Sequence, residues 1–377
     1  MQSASAGEMI GLGDGVEVVL GHQFCEREYL EMNPDVRAAV KSGAFRSGRD
    51  HFAHHGLMEG RLGRTPEHAA QFFGELAVDV RQVKAFRAEN FPYAGPHPWL
   101  DRADWPELLQ AKLDRGELTA DEAERCRYWS THGYLILENC IDAATVDRAW
   151  AAYERAIASG VIKLDPDPGG PGDPWPGRHL DAHDKVPELC AILRHPEILR
   201  WIRILMDREP APFQTLTSHK GTQQPEHSDS IHMTTYPLGY LTAAWVALED
   251  IGPDCGPLVY YPGTHRLPYV FSRDVGIGDG EFTQSKFRAY NEKYEPFIQG
   301  LLRSHRCQPK YFTAKKGDVL LWHANLLHGG SKRNDLRLSR HSLVAHYFVK
   351  GAVTYHDLSG SAAHEHTGTC MLRGENG

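Results

Sequence analysis

The sequence predicts a mainly β fold with flanking helices, a sandwich or jelly-roll barrel, and three observations predict it. Beyond residue 212 short β-like runs follow one another: FQTLTS, LTAAWVALED, LVYYPGTH, DVLLWHANLL and RHSLVAHYFV. Turns bearing Gly and Pro separate these runs, and most have no helical pattern between them, which argues against alternating β-α units. Hydrophobic residues make up 41% and charged residues 24% of the 377 residues, so a sizeable core can form without disulfide or metal staples.

Taken in order, residues 1–22 are Gly-rich and patternless and are expected to be a disordered terminus. Residues 23–65 read as a small helical module. Asn33-Pro34-Asp35 is a turn and helix-start signal, Gly43 stops the first helix, and a second runs from about Ser47 to Gly56. Its pattern, Y-L-x-x-N-P-D-V then H-F-x-x-x-G-x-x-E-G-R, resembles a short module of bacterial surface-glycan proteins, and a helical hairpin docked on the main domain is expected. Residues 66–118 form a helical and Pro-rich bridge. From Thr119 a capped helix, a turn at Gly133 and a strand at Tyr134–Leu137 follow. IDAATVDRAWAAYERAIAS is an amphipathic helix, and PELCAILRHPEILRWIRILM is a helix pair interrupted near Pro196. Between them, residues 164–177 are a Pro/Gly loop of a length that is often functional. Residues 279–310 form a polar, partly helical insertion among the strands. The main domain spans 119–358, and 359–377 is expected to be a flexible tail.

Lys plus Arg number 41 and Asp plus Glu 49, a net charge of −8 without a basic run, so neither nucleic acid nor an anionic membrane is an expected partner. The longest uncharged apolar runs, such as Val319–Trp322, fall far short of the ~20 residues that span a bilayer. Residues 1–20 show no secretory signal. Seven scattered cysteines without a Cys-x-x-Cys read as reduced thiols, and the expected location is cytoplasmic.

The chain holds 22 histidines, which prompts a search for metal ligands. In the extended segment Glu226-His227-Ser228-Asp229, residues i and i+2 share a face, so His227 and Asp229 can address one point. A third ligand must come from another strand, and His328 in LLWHANLLHGG is the best candidate. Two His and one carboxylate leave coordination positions open, the arrangement of non-haem Fe(II) oxygenases. Arg340 opens the strand RHSLVAHYF and by alternation shares a face with Ser342, Val344 and His346. A cation there suits the far carboxylate of a dicarboxylate co-substrate.

The block from Gln224 to Phe348 resembles the phytanoyl-CoA dioxygenase family of Fe(II)/2-oxoglutarate oxygenases. The matching pieces are H-S-D at 227–229, T-A-A-W-V-A-L-E-D at 242–250 and G-P-L…P-G-T-H-R at 256–266. They continue with K-G-D-V-L-L-W-H…H-G-G at 316–330 and R-H-S-L-V-A-H-Y at 340–347. The resemblance implies a double-stranded β-helix, a jelly-roll or cupin-like core, with iron at its mouth and the small N-terminal helical module appended. It implies that His227, Asp229 and His328 bind Fe(II), that Arg340 grips 2-oxoglutarate and that Trp245 lines the co-substrate. The implied reaction is hydroxylation of an unactivated C–H with O2, releasing succinate and CO2. Two departures stand out. The gap from His328 to Arg340, 12 residues, is about one residue longer than the family pattern, leaving Arg337 as a rival anchor. Relatives often carry Ser where this chain has Gly330, so Ser331 is the expected substitute. Asp229 argues against a halogenase, which needs a small residue there.

Other histidines have plainer readings. His323 is a rival ligand but points to the opposite face of a regular strand. His51, His54 and His55 are expected on a solvated helix face, His364 and His366 in the tail, and His265 in a structural role. Cys255 and Cys307 are expected to be ordinary small core or loop residues. Pocket walls are expected from 164–183, Ser230–Tyr236, 279–310 and the region near Asn325, with Arg178, His179, His232, Tyr236, Asn325, Arg288 and Tyr290 as contacts. That mixture suits a polar small molecule, such as a natural-product or glycan-linked intermediate. The competing class is a cupin-like metal-binding protein, an isomerase or sensor, which would need the three ligands but no Arg.

Overall fold

The computed structural model describes residues 10–11, 16–19, 22–56, 61, 63–65, 87–88, 97–164, 173–278, 280–285, 287–350 and 352–362. Most of the expected bridge, the middle of the Pro/Gly loop, and the tail from 363 with His364 and His366 lie outside the described residues.

The described residues of the terminus, 10–11, 16–19 and 22, are strand, where patternless chain is expected. Strands β1 (Ile10–Gly11), β2 (Val16–Val19) and β3 (His22–Cys25) form an antiparallel sheet in which Val19 pairs with His22. VEVV favours an extended backbone, a signal too short to stand out beside its glycines. Helices Glu26–Met32 and Pro34–Lys41 follow, the second starting on Pro34, where the missing N–H costs nothing. Ser47 caps Gly48–His51 by accepting the Asp50 N–H, and the chain continues as a π-helical turn, Phe52–Gly56. Phe24, Tyr29, Val36 and Phe52 form a small core of their own. His51 is buried and bonded to the Tyr29 hydroxyl at 3.0 Å, so only His54 and His55 are on the solvated face.

The β-rich core is a six-stranded antiparallel sheet with the order β4-β11-β8-β13-β6-β5. These strands are β4 (Tyr134–Leu137), β5 (His179–Leu180), β6 (Pro210–Ser218), β8 (Leu241–Ala247), β11 (Val319–His323) and β13 (Ser342–Val349). A second antiparallel sheet joins β10 (Lys310–Phe312), β9 (Leu258–Tyr260) and β12 (His328–Gly330). A third joins β15 (Ser361–Ala362), β14 (Val353–His356) and β7 (Thr234–Tyr236). Alternation sorts the large sheet into two faces. Leu135, Val246, Val319, Leu321, Leu343 and Ala345 pack under the helices Ala120–His132, Ala143–Ala158, Pro187–Leu193 and Pro196–Met206. Trp245, Leu320, Trp322 and Val344 turn the other way, toward Leu258, Tyr260 and Phe312 of the small sheet. Burial on both faces explains why LTAAWVA and VLLWH read as continuous apolar runs.

The helix Ala120–His132 starts on a reciprocal capping box between Thr119 and Glu122 and ends at Gly133, with φ +77°. The insertion holds the helix Glu281–Ser285, a π-helical turn Tyr290–Tyr294 and the helix Glu295–Ser304. Its Tyr290, Tyr294, Ile298 and Leu302 cover the outer face of the small sheet at Val259. His265 is structural as expected, bonded to the Ser130 carbonyl and packed beneath Gly133. Cys25, Cys126, Cys140, Cys255 and Cys307 are free thiols, whereas Cys190 is disulfide-bonded, which corrects the expectation of reduced thiols throughout. Among the described residues no helix is long and apolar enough to cross a membrane.

Gly317, at φ +88°, makes the turn into β11, accepting the Ile141 N–H at 3.0 Å and donating to the Ala247 carbonyl at 2.9 Å. A Cβ there would collide with the Ile141 carbonyl. Gly317→Ala is therefore expected to cost about 2–4 kcal/mol in urea unfolding. Gly252→Ala, where a Cβ meets nothing within 4 Å, should stay within about 0.5 kcal/mol of the parent.

Candidate metal centre and its pocket

His227 and His328 lie 101 residues apart, yet their backbones form a mutual antiparallel bridge. The His227 N–H donates to the His328 carbonyl at 2.9 Å, and the reverse bond is 3.0 Å. Directly opposed residues of such a pair project from the same face, and the two rings stand 4.6 Å apart. The bridge needs close backbone approach, and glycines permit it. A Cβ on Gly329 would lie 2.7 Å from the Gln224 carbonyl, and one on Gly330 would lie 2.6 Å from the Gln223 nitrogen.

Each ring is oriented by its own backbone. His227 Nδ1 donates to the Pro225 carbonyl and His328 Nδ1 to the Leu326 carbonyl, both at 2.9 Å. Those bonds place the lone pair on Nε2 in both rings. Asp229 begins a 3-10 turn beyond His227. Its Oδ1 stands 3.8 Å from His227 Nε2 and 3.6 Å from His328 Nε2. One ligand atom from each of the three residues lies within 4.8 Å of the others, and all three residues are buried. Two imidazole nitrogens and one carboxylate oxygen fit a divalent transition metal such as iron.

Two further residues, Trp322 and His346, flank the cluster. Trp322 donates its indole N–H to Asp229 Oδ2 at 2.7 Å, leaving Oδ1 to face the imidazoles. His346 Nε2 stands 3.7 Å from the same Oδ2. Burial alone would raise the pKa of Asp229, but the His328 and His346 imidazoles, when they carry a second proton, outweigh it and hold the carboxyl well below its usual range. Burial, then the facing His328, depresses His227 to about 4. His227 is therefore neutral at pH 7, as a ligand must be. Trp322 was readable only as a core aromatic, and His346 only as a face-mate of Arg340, because nothing in a local pattern says which strand crosses which.

A cavity of about 550 Å³ opens on this cluster. Arg340 lines it just before β13 and is buried, with its guanidinium 5.6 Å from the Trp245 ring. One Nη donates to the Gly256 carbonyl at 3.1 Å, while Nε is buried without an acceptor. Among the described residues no carboxylate pairs with it, whereas the nearby buried Arg333 and Lys220 share Asp173. Burial lowers its pKa to about 10, which still leaves it a cation at pH 7.

Of the expected contacts, Trp245, Arg178, His232 and Tyr290 line the cavity. Arg178 donates to the side-chain Oε1 of Gln224 at 3.2 Å, and Gln224 Nε2 in turn donates to His227 Nε2 at 3.3 Å. The other contacts need correction. Arg337 is 88% exposed and paired with Asp335 at 2.7 Å, outside the cavity. Ser331 spends its hydroxyl on the Pro257 carbonyl at 2.7 Å. Thr222 instead places its Oγ1 2.7 Å from where a Cβ of residue 330 would sit, and it lines the cavity. Asn325 is buried, donating to the His265 and Leu267 carbonyls. Tyr236 lies on β7 against β14, and His179 and Arg288 are also absent from the lining. His323 bonds Asp101 at 3.0 Å on the other side of β11 and is no ligand.

The family model for phytanoyl-CoA dioxygenase matches residues 129–341. The peroxisomal phytanoyl-CoA dioxygenase of Mus musculus is 22% identical over 265 residues, 64% of this chain and 72% of the relative. A phytanoyl-CoA dioxygenase domain-containing protein 1 of Danio rerio is 30% identical over 177 residues, 45% of this chain and 55% of that one. Among solved structures, EctD from S. alaskensis with bound Fe has TM-score 0.46 at 21% identity, covering 62% of this chain and 77% of its own. The non-heme alpha-ketoglutarate-dependent carbocyclase SnoK from nogalamycin biosynthesis has TM-score 0.47 at 17% identity, covering 63% and 87%.

Because the Trp322 bond fixes the free oxygen of Asp229, Trp322→Phe is expected to weaken Co(II) binding by about 10–100-fold in anaerobic titration, with little change in far-UV circular dichroism.

Proposed function

The chain belongs to the phytanoyl-CoA dioxygenase family, and from that premise we propose that it hydroxylates an unactivated C–H bond of a polar small molecule. The family makes it an iron- and 2-oxoglutarate-dependent enzyme of the dioxygenase type. In this reading His227, Asp229 and His328 hold the iron, and Arg340 takes the distal carboxylate of 2-oxoglutarate beside Trp245. We read the two facing sheets as a double-stranded β-helix and residues 119–358 as its domain.

The observation that carries the reading is the buried guanidinium of Arg340 in the same cavity as the three ligand atoms. Removing an ion from water without a counter-ion costs several kcal/mol, so a buried cation with a free Nε suits an incoming carboxylate. A metal-binding isomerase or sensor has no need of that cost. Oxidation by O2, with succinate and CO2 released, is what the metal and co-substrate supply when bound. The chain's own residues do the rest. The backbone carbonyls of Pro225 and Leu326 hold the two imidazole tautomers, and Trp322 aims the carboxylate. Leu216, Leu258 and Val344 line the cavity with apolar surface that keeps water from the centre. Neither family nor fold fixes the substrate.

Arg340→Ala is expected to weaken 2-oxoglutarate binding by about 100-fold in calorimetry while leaving Mn(II) affinity within about threefold, because only the carboxylate loses its partner. Arg337→Ala should leave both unchanged. Loss of 2-oxoglutarate binding on changing Arg337 rather than Arg340 would overturn the anchor assignment.

A further inference from the structure

Two residues that line the cavity hold buried polar atoms with no hydrogen-bond partner, the Tyr290 hydroxyl and His346 Nδ1. The residues are 3% and 2% exposed. Leaving such atoms unpaired is costly, and a ligand that supplies partners removes the cost. At ~3.3 Å per extended residue, roughly 20 Å of chain separates Arg340 from His346, and His346 Nε2 stands 3.7 Å from Asp229 Oδ2, so His346 lies on the metal side of the pocket face, away from the Arg340 anchor. Tyr290 reaches the cavity from the insertion, on a π-helical turn of the kind that recurs at functional sites. Its ring stands 4.9 Å from that of His232, and burial keeps the phenol protonated, hence a donor.

The surroundings narrow the ligand. Gln214, Asn291 and His232 line the same cavity as hydrogen-bonding side chains, and Phe287 adds an aromatic face. Among the described residues that line the cavity, Arg178 is the only Lys or Arg apart from Arg340. The nucleotide phosphates of a CoA thioester call for several cations, and a bare alkyl chain would leave Tyr290 and His346 unpaired. Planar hydrogen-bonding groups beside an aromatic face suit a ring with C–H bonds on its faces and hydroxyls on its rim.

We propose that the substrate is a hydroxyl-rich saturated ring, a sugar or cyclitol unit, held by the Tyr290 hydroxyl and His346 with a ring C–H turned to the metal site. This rests on the oxygenase reading above. Tyr290 and His346 are then specificity-determining residues of that reaction.

The test measures succinate formed by the iron-loaded full chain with 2-oxoglutarate and O2. The ring probes are myo-inositol, methyl α-glucoside and N-acetylglucosamine, and phytanoyl-CoA is the counter-probe. At least one ring probe should raise succinate formation about fivefold or more over the probe-free rate. For that probe, Tyr290→Phe should raise KM about tenfold with kcat within about threefold, as expected for one lost hydrogen bond. His346→Asn should raise the same KM. Stimulation by phytanoyl-CoA alone, stimulation by no ring probe, or an unchanged KM in both variants would each overturn the proposal. The visible absorbance of an iron and 2-oxoglutarate complex separates the two levels. If wild type shows that band but responds to no ring probe, only the substrate inference fails; without the band the oxygenase reading fails as well.

Discussion

Asp229 is 4% exposed and surrounded by three imidazoles and an indole. An isolated carboxylate could not stay ionised there, so its surroundings have to supply compensation. Trp322 donates to one oxygen, and the two oriented imidazoles leave their lone pairs facing the other. The result is a concentration of electron-pair donors with no proton between them, which a divalent cation would satisfy. The mutual bridge between residues 227 and 328 sets this up by backbone bonds alone. The glycines after His328 follow from it, since any side chain there would push the two segments apart.

The layering of the fold explains where the remaining pocket residues come from. Helices cover one face of the six-stranded sheet, so alternate residues of β6, β8, β11 and β13 must point toward the small sheet. Gln214, Trp245, Trp322 and His346 share that inner face and line the cavity. Arg340 stands at one end of the row and His346 at the other. The cavity thus has a charged end suited to a dicarboxylate and an end of hydrogen-bonding groups closed by the insertion.

Much of this was legible without coordinates, for identifiable reasons. Long apolar runs, the Thr119 capping residue and the Gly133 stop mark their elements because the physics is local. The placement of His227 and Asp229 on one point was equally local, a consequence of spacing. What could not be read depends on pairing between distant segments. Trp322 bonds Asp229 because β11 crosses behind the His-x-Asp segment, and no periodicity records that crossing. Ser331 and Asn325 were misplaced because their polar groups satisfy nearby backbone carbonyls instead of facing the cavity. Tyr236 was misplaced because β7 belongs to a separate sheet. The strands at Val16–Val19 and His22–Cys25 were hidden by brevity among glycines.

The central claim is that one cavity holds a metal through three side chains and a dicarboxylate through Arg340 at the same time. Anaerobic addition of Fe(II) and then 2-oxoglutarate to the apoprotein, followed by visible absorbance, tests it most directly. The account predicts a metal-to-ligand charge-transfer band that saturates at one iron per chain and is lost in Asp229→Ala. Iron binding with no band on adding 2-oxoglutarate would contradict it.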